Sequence, residues 1–510
     1  MPVSILYPEG VDPSSSLPLD EGPAADLGLT QVFDALEQGR EQLDLESLLR
    51  TPLASTDQVA YRHQVMADLE RRDIADAVRA FGASMAAARE VLGTSARLRS
   101  YWQRSRVFID AVSAYCRCVD VLAAALERSR PASRGLTGFG AYLGAYRRSE
   151  MFTQLSAGAE EVVAGLAAVR YGLHIKGTRV TVSAFQGEPD YAQEVATVFD
   201  KFREGAVDDY RASFLAPLEM EDVEAEVLNL VARLHPEPFG ALDRYFQAHQ
   251  DFVDATVAAF EREAHFYLSY LDYIQPLRAA GLPFCYPSLS DEPGETRLVD
   301  VFDLALARKA SGDAGASGVV TNDLALSQDE RRVVVTGPNS GGKTTFARAV
   351  GQLHHLASLG LPVPASEARL VLVDKIFTSF QQAEPPDLAR SHLEDELVHL
   401  REVIERAGQR SLVVLNESLS STTLRDAAVL GRAVLDRLLA RGPLCIYVTF
   451  VDELASTGPA TVSLVATVSP DNPVVRTYKL ERRPAEGLAY AAALAERYGL
   501  TYHAVSSRLN

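Results

Sequence analysis

The sequence predicts two parts in one chain: a mostly α-helical region over about residues 26–285 with a small β-hairpin set into it, then an α/β region over 286–510. Three observations carry that prediction. Ala-rich apolar spacing of three and four persists from about 70 to 165, with few Gly or Pro, as amphipathic helices require. After about residue 285, short β-branched runs alternate with helical patterns, the signature of a mostly parallel sheet. Between one such run and the next helix lies a glycine-rich turn that ends in lysine and threonine.

Residues 1–25 are rich in Pro, Ser, Gly and acid, as in Pro13-Ser14-Ser15-Ser16-Leu17-Pro18, and are expected to be a mobile leader. Helical pattern begins near Leu29. Ser55-Thr56-Asp57 offers an N-cap to a helix bearing Val59, Arg62, Gln64 and Val65. Arginines gather between Arg97 and Arg148, around the single Trp102, with few acids among them. That run reads either as a phosphate-facing surface or as the solvated side of helices, and charge runs are more often the latter. Tyr171 to Val182 alternates apolar and polar across Lys176-Gly177, which predicts a hairpin near 171–183. Helical pattern resumes near Tyr191. Leu242, Phe246, Val253, Val257, Phe260, Ala264, Tyr267 and Leu271 share one face, predicting a single rod of about 45 Å. Gly281, Pro283, Pro287, Pro293 and Gly294 then place a domain boundary at about 285.

The formal net charge of −18 weighs against a simple nucleic-acid binder, since phosphate contacts rest on Lys and Arg, but it leaves room for a local basic groove. Cys116, Cys118, Cys285 and Cys445 are expected to be structural, and so few cysteines fit a reducing compartment. The N-terminus lacks a basic start and a long apolar core, and no apolar run approaches the roughly 18 residues of a membrane span. A cytoplasmic location without membrane contact is expected.

Val333-Val334-Val335 runs into Thr336-Gly337-Pro338-Asn339-Ser340-Gly341-Gly342-Lys343-Thr344-Thr345, the pattern G-x-x-x-x-G-K-[ST] between a strand and a helix. A loop around phosphates must point backbone N–H groups inward, which Gly337, Gly341 and Gly342 permit. It ends at a helix N-terminus, where an anion is favoured. Lys343 supplies formal charge for the outer phosphates, and the Thr344 hydroxyl suits Mg²⁺. The motif predicts a bound nucleoside triphosphate with Mg²⁺; ATP is what the resemblance described next implies. Downstream, Ser411 to Asn416 is an apolar run ending in Asn416-Glu417, the form of a buried parallel strand whose end faces a ligand. Asn416 occupies a position that usually carries a metal-holding Asp, and Glu417 can orient an attacking water. Ala368 to Asp374 is a further strand. Leu444 to Phe450 is another, ending where Phe450 can sense the terminal phosphate.

The order and spacing of these segments resemble the MutS family of DNA mismatch-repair ATPases, a branch of the ABC-type ATPases. Thr336 to Thr345 match the family's T-G-P-N-x-G-G-K-S/T-T, including Pro338 and Asn339. Val320-Thr321-Asn322-Asp323 resembles its adenine-wrapping stretch, which brings Asn322 to the cofactor. Pro362-Val363-Pro364-Ala365, Asp374-Lys375-Ile376-Phe377-Thr378 and Leu412 to Asp426 resemble further family motifs. Arg390-Ser391 with Glu396 resembles a segment whose Ser, here Ser391, reaches the nucleotide of a partner subunit. Gly487 to Leu500 weakly resembles a terminal motif, and Leu48 to Val65 resembles the start of the family's helical core. The resemblance implies an ABC-type P-loop ATPase domain behind a helical core and lever domain.

The departures are specific. Asn416 replaces an Asp, Leu419-Ser420-Ser421 replaces Gly-Arg-Gly, Phe450 replaces a His, and Val319 stands where an aromatic stacks on adenine. A mismatch-reading domain ahead of the core is not expected, and Phe202-Arg203-Glu204 is read as a chance match to the family's Phe-x-Glu wedge. The expected function is therefore a homodimeric, DNA-binding, DNA-repair ATPase acting on distorted or branched DNA, with a downstream repair protein as a further partner. Glu417 and Lys343 would be its catalytic residues, and Thr344 and Asn416 its metal-side residues. Two alternatives stand beside it: an ATP-gated scaffold that binds a protein partner without touching DNA, and a nucleotide-binding protein with negligible hydrolysis.

Overall fold

A computed structural model describes residues 3–11, 16–187, 220–313, 318–381, 392–469, 475–485 and 506. The expected segments at Tyr191, Phe202–Glu204, Arg390–Ser391 and Gly487–Leu500 lie outside these residues.

The helical region opens with α1 (Glu21–Asp26), α2 (Leu29–Glu37), α3 (Leu45–Arg50) and α4 (Thr56–Leu69). The N-cap of α4 is the expected one: Ser55 Oγ accepts from the Gln58 backbone N–H at 3.4 Å. The long helices follow as α5 (Arg72–Ser95), α6 (Tyr101–Ser129), α7 (Arg134–Arg147) and α8 (Glu150–Ala167). The hairpin is β1 (Tyr171–Lys176) paired with β2 (Arg179–Ala184), turning at Gly177 with φ +62°.

Two expectations are corrected here. The rod from Leu242 to Leu271 is two helices, α10 (Pro236–Ala248) and α11 (Ala255–Ala279), which follow α9 (Asp222–Leu234). Asp254 breaks the pattern because its carboxylate accepts from the N–H groups of Thr256 and Val257 and starts a new helix. The shared apolar face survives the break, since Leu242, Val257, Phe260 and Tyr267 are all buried. The leader is not mobile where it is described. Ile5 and Leu6 are fully buried, Ser4 Oγ and the Ile5 N–H donate to Glu263 at 2.7 Å each, and Tyr61 and Tyr267 donate to the Ser4 and Ile5 carbonyls. Composition misses this because two apolar side chains inside a polar stretch suffice to anchor it.

The α/β region holds two sheets. The smaller has strand order β3 (Ser288–Ser290), β7 (Glu367–Val371), β4 (Thr296–Val301), β5 (Asn322–Leu326). The expected strand from Ala368 is β7, so it belongs to this mixed sheet and not to the parallel one. The larger sheet runs β12 (Arg476–Arg482), β11 (Thr461–Val468), β6 (Arg332–Thr336), β10 (Leu444–Val448), β9 (Ser411–Asn416), β8 (Lys375–Phe380). All its neighbours pair in parallel except the β11–β12 edge. Helices α12 (Leu304–Asp313), α13 (Lys343–Ser358), α14 (His392–Arg406) and α15 (Leu424–Arg441) complete the region.

Strand alternation explains how the sheet is covered on both faces. Val333, Val335, Leu412, Val414, Ile446 and Val448 join one apolar core, on the side of α13. Val334, Val413, Leu415, Cys445 and Tyr447 join a second, with Leu400 of α14 and Leu435 of α15. The first core is continuous with the helical region, from Ile5 through Tyr267 to Leu480, so the apolar interior crosses the expected boundary at 285. The cysteines have the structural character expected of them: burial pushes the Cys116, Cys118 and Cys445 thiols up to about 12 and Cys285 up to about 11.

Helix α13 is the joint between the two regions. Its C-terminal end receives the Leu53 N–H at Ser358 O (2.8 Å) and Arg62 Nη1 at Leu359 O (2.9 Å). Arg62 is completely buried, donates Nε to Leu6 O, and lies over the rings of Tyr7 and Phe266. His355 Nε2 bonds Leu49 O at 2.7 Å. The N-terminus of the same helix faces the glycine-rich loop.

Candidate functional site

The loop from Gly337 to Gly342 leaves β6, the strand that the sheet order places between β10 and β11, and enters α13. Its glycines are required by space as well as by dihedral. Gly337 has φ +116°, and a Cβ there would meet Ala466 O at 2.9 Å; one on Gly341 would meet Pro338 O at 2.9 Å. Gly342 is the N-cap of α13, with φ +91°.

Lys343 is buried and turns back onto its own loop, donating Nζ to Gly337 O and Pro338 O at 3.0 Å each. Burial pushes its ammonium below the ordinary 10.5; the Glu417 carboxylate opposes that shift and the Arg476 guanidinium adds to it. Thr344 Oγ1 donates to Asn416 Oδ1 at 2.8 Å. The sequence-predicted pair on the metal side is therefore in direct contact. Glu417 follows with φ +55°, its N–H on Val448 O at 2.9 Å. That left-handed turn is uncommon for a non-glycine residue and throws the side chain off the strand direction. The loop after it is tied down: the Leu419 N–H donates to Glu396, Ser418 Oγ donates to Ser379 O, and Tyr447 donates to Ser418 O.

A cavity of about 300 Å³ opens over this loop, and Ser340 to Thr345, Glu417, Asn322, Val320, Phe302 and Tyr478 are among the residues lining it. Asn322 is on its wall as expected, but its amide is engaged with β12: Nδ2 donates to Tyr478 O and Oδ1 accepts from the Leu480 N–H. Asn322 thus fastens the two sheets together at the cavity. Gly337, Pro338 and Asn339 sit outside the cavity lining, the first two holding Lys343 through their carbonyls. Phe450 does not line the cavity either; it follows β10 as an exposed residue. The buried residue at that strand end is Thr449, whose N–H bonds Val335 O. Ser391 lies outside the described residues.

Sequence reasoning missed Tyr478. Its side chain lies 3.6 Å from where a Cβ of Gly342 would stand, and its backbone φ is +59°. It brings an aromatic ring to a cavity whose expected aromatic position is Val319. No local signal marks it, because its place follows from the antiparallel pairing of β12 with β11.

The residues fit a magnesium ion delivered with phosphates. Thr344 Oγ1 and Asn416 Oδ1 are adjacent uncharged oxygens, and Glu417 is the nearby carboxylate on the wall. Among the described residues no group of three or more His, Cys, Asp or Glu could hold a metal on its own. Nor is any described helix long and apolar enough to cross a membrane.

Residues 333–505 match the family model for MutS domain V. The DNA mismatch repair protein MutS of Granulibacter bethesdensis is 32% identical over 218 residues, 42% of this chain and 22% of that protein. Endonuclease MutS2 of Listeria monocytogenes is 29% identical over 264 residues, 50% of this chain and 32% of that protein. DNA mismatch repair protein msh3 of Botryotinia fuckeliana is 36% identical over 144 residues, 28% of this chain and 13% of that protein. The matches thus span less than a third of each relative's own length. A glycine-rich loop on β6, its lysine folded inward and a Thr–Asn contact beside Glu417 are the physical content of the matched segment, and over residues 333–505 the chain carries a MutS domain V.

Proposed function

We propose that this chain is a MutS-type ATPase that binds ATP with Mg²⁺, works as a homodimer through its α/β region and acts on distorted or branched DNA. The observation that carries the reading is the convergence of Lys343, Thr344–Asn416 and Glu417 on one cavity above the Gly337–Gly342 loop.

Each residue has a task set by its geometry. Lys343 already bridges two carbonyls, and an incoming phosphate oxygen replaces them with a stronger, charge-assisted partner. The backbone N–H groups at the start of α13 face the same anion. Thr344 and Asn416 hold the metal-side oxygens in place, and Mg²⁺ when bound screens the charge on the phosphates. Glu417 orients and activates the attacking water. Tyr478 offers a ring face to the base or ribose, and the contacts of α13 with Leu49, Leu53 and Arg62 give the helical region a grip on the nucleotide helix. Ser391 and the 418–426 loop would reach across to the second copy. We read the chain as helical core over 26–285 and ATPase over 286–510, with one apolar interior between them.

The test has two parts. Wild-type protein should hydrolyse ATP, and Glu417→Gln should abolish turnover while keeping nucleotide; turnover that survives in Glu417→Gln removes that role. Binding to branched duplex DNA should appear at low salt and weaken steeply as salt rises. The net charge of −18 favours the second reading, an ATP-gated scaffold for a protein partner. It prevails if no DNA structure binds at low salt with ATP or ADP.

A further inference from the structure

The cavity over the Gly337–Gly342 loop has two ends of different character. Ser340, Lys343, Thr344 and Glu417 line the loop end, where charge and hydroxyls gather. Farther along α13 the wall turns apolar, with Ala349 of that helix joined by Phe302, Leu306 and Val320. One carboxylate stands in that apolar wall. Asp303 lies between β4 and α12, is only 5% exposed, and lines the cavity. The amide on the wall, Asn322, is already spent on β12 at both its ends.

Asp303 is held firmly, and by one of its two oxygens. Oδ1 accepts from the Leu306 N–H at 3.0 Å, which caps α12, and from Gln352 Nε2 at 2.9 Å. Gln352, three residues beyond Ala349 on α13, is fully buried and fixed in turn: it donates to Leu27 O and accepts from the Leu304 N–H, at 2.8 Å each. Oδ2 takes no hydrogen bond from the described residues, and it is not sealed from solvent. Burial raises the pKa of this carboxyl above the ordinary 3.8; the Leu306 N–H, Gln352, the Arg348 guanidinium and the nearby Ala305 N–H oppose that shift. A helix cap needs only one oxygen. The second is an acceptor without a donor in an apolar wall, which costs free energy that a ligand donor would recover.

We propose that Asp303 is a base-reading residue, whose Oδ2 accepts a hydrogen bond from the exocyclic amino group of a 6-aminopurine and so makes the site prefer ATP to ITP and GTP. The proposal rests on the nucleotide reading above. The stereochemistry favours a single donor. Guanine would offer its N1–H and 2-amino group side by side, a pair that suits both oxygens of a carboxylate, and Oδ1 is already occupied twice. A 6-oxo group would set one acceptor against another, a repulsive contact that rejects inosine and guanine alike.

The test is calorimetric titration of the full chain, in magnesium chloride, with ATP, ITP, GTP and inorganic tripolyphosphate. Wild type should bind ATP about tenfold or more tighter than ITP or GTP, on the scale of one hydrogen bond to a charged group. In Asp303→Asn the side-chain oxygen stays with its two donors, and an N–H group takes the place of Oδ2. ATP should then weaken by about tenfold, ITP should tighten, and tripolyphosphate should not change. A purely structural cap would instead leave the ATP-to-ITP ratio where it is. Should Asp303→Asn lower the unfolding midpoint, Asp303→Ser keeps a capping oxygen and removes Oδ2; it should lose the preference for ATP without gaining ITP. The proposal is overturned if wild type binds ATP and ITP alike, if it prefers ITP, or if both variants keep the wild-type ratio. Wild type that binds none of the four ligands overturns the nucleotide reading itself, and this proposal with it.

Discussion

The two halves of the site are built differently. The Gly337–Lys343 half is self-contained: Lys343 bonds carbonyls of its own loop, the glycines are pressed against Ala466 and Pro338, and α13 is buried along most of its length. The Asn416–Glu417 half is a strand end with a left-handed residue, held by contacts from Val448, Glu396 and Tyr447 on other elements. On the proposed reading, binding would rest on local chain geometry and chemistry on an assembled corner. The two should be separable by mutation.

The largest effect should come from the first half. If Lys343 is the charged partner of the phosphates, as proposed, Lys343→Ala should weaken ATP binding by about 10- to 100-fold, on the scale of hydrogen bonds to charged groups. Calorimetric titration measures it, and an unchanged affinity breaks the division of labour at its root.

Acid sharpens where the first half gets its rigidity. His354 and His355 are fully buried on α13, and burial pushes both imidazoles from the ordinary 6.5 to about 4. Their folded values are depressed, so the stability they hold is complete above pH 6.5 and lost as pH falls from 6.5 towards 4. Each should contribute a loss on the order of 2 kcal/mol between about pH 7 and pH 5. Urea unfolding of wild type and His355→Gln at both pH values tests this; equal pH dependence in the two proteins counts against it.

The second half is probed by Asn416→Asp. A carboxylate beside Thr344 should tighten Mg²⁺ by about tenfold in the presence of ATP, since hard cations prefer charged oxygens. Magnesium titration of nucleotide binding gives the number, and no gain would mean that the metal does not sit against this residue. The smallest effect should come from Tyr478→Ala. Loss of a ring face on the cavity wall should weaken ATP binding by about 1 kcal/mol, on the scale of one aromatic contact, and leave phosphate-only ligands untouched. Equal weakening of ATP and inorganic triphosphate would remove the ring from the base end.

Much of the first half was legible in order of residues alone. The run Val333–Thr345 states strand, turn, cation and hydroxyl within thirteen positions, because a phosphate loop is made by neighbours in sequence. The same holds for the Ser55 cap and the Gly177 hairpin. What could not be read were contacts across long separations. Asn339 and Arg476 meet only through β12, Tyr478 reaches Gly342 by the same route, and Ile5 and Leu6 are held by α11 and α4. The break over residues 249–254 also escaped, because apolar spacing continues across it and only the Asp254 cap at its end marks the new helix.

The sequence by itself therefore determined that a glycine-rich loop opens a helix in an α/β region, and which residues stand on it. Tertiary structure decided what surrounds that loop: an amide beside Thr344, a guanidinium at the rim, an aromatic from the last strand, and a helical region anchored to the far end of α13. The physical reason is reach. Dihedral preference and periodicity act over a few residues, whereas charge balance and packing at a site depend on which distant strands the fold lays beside it.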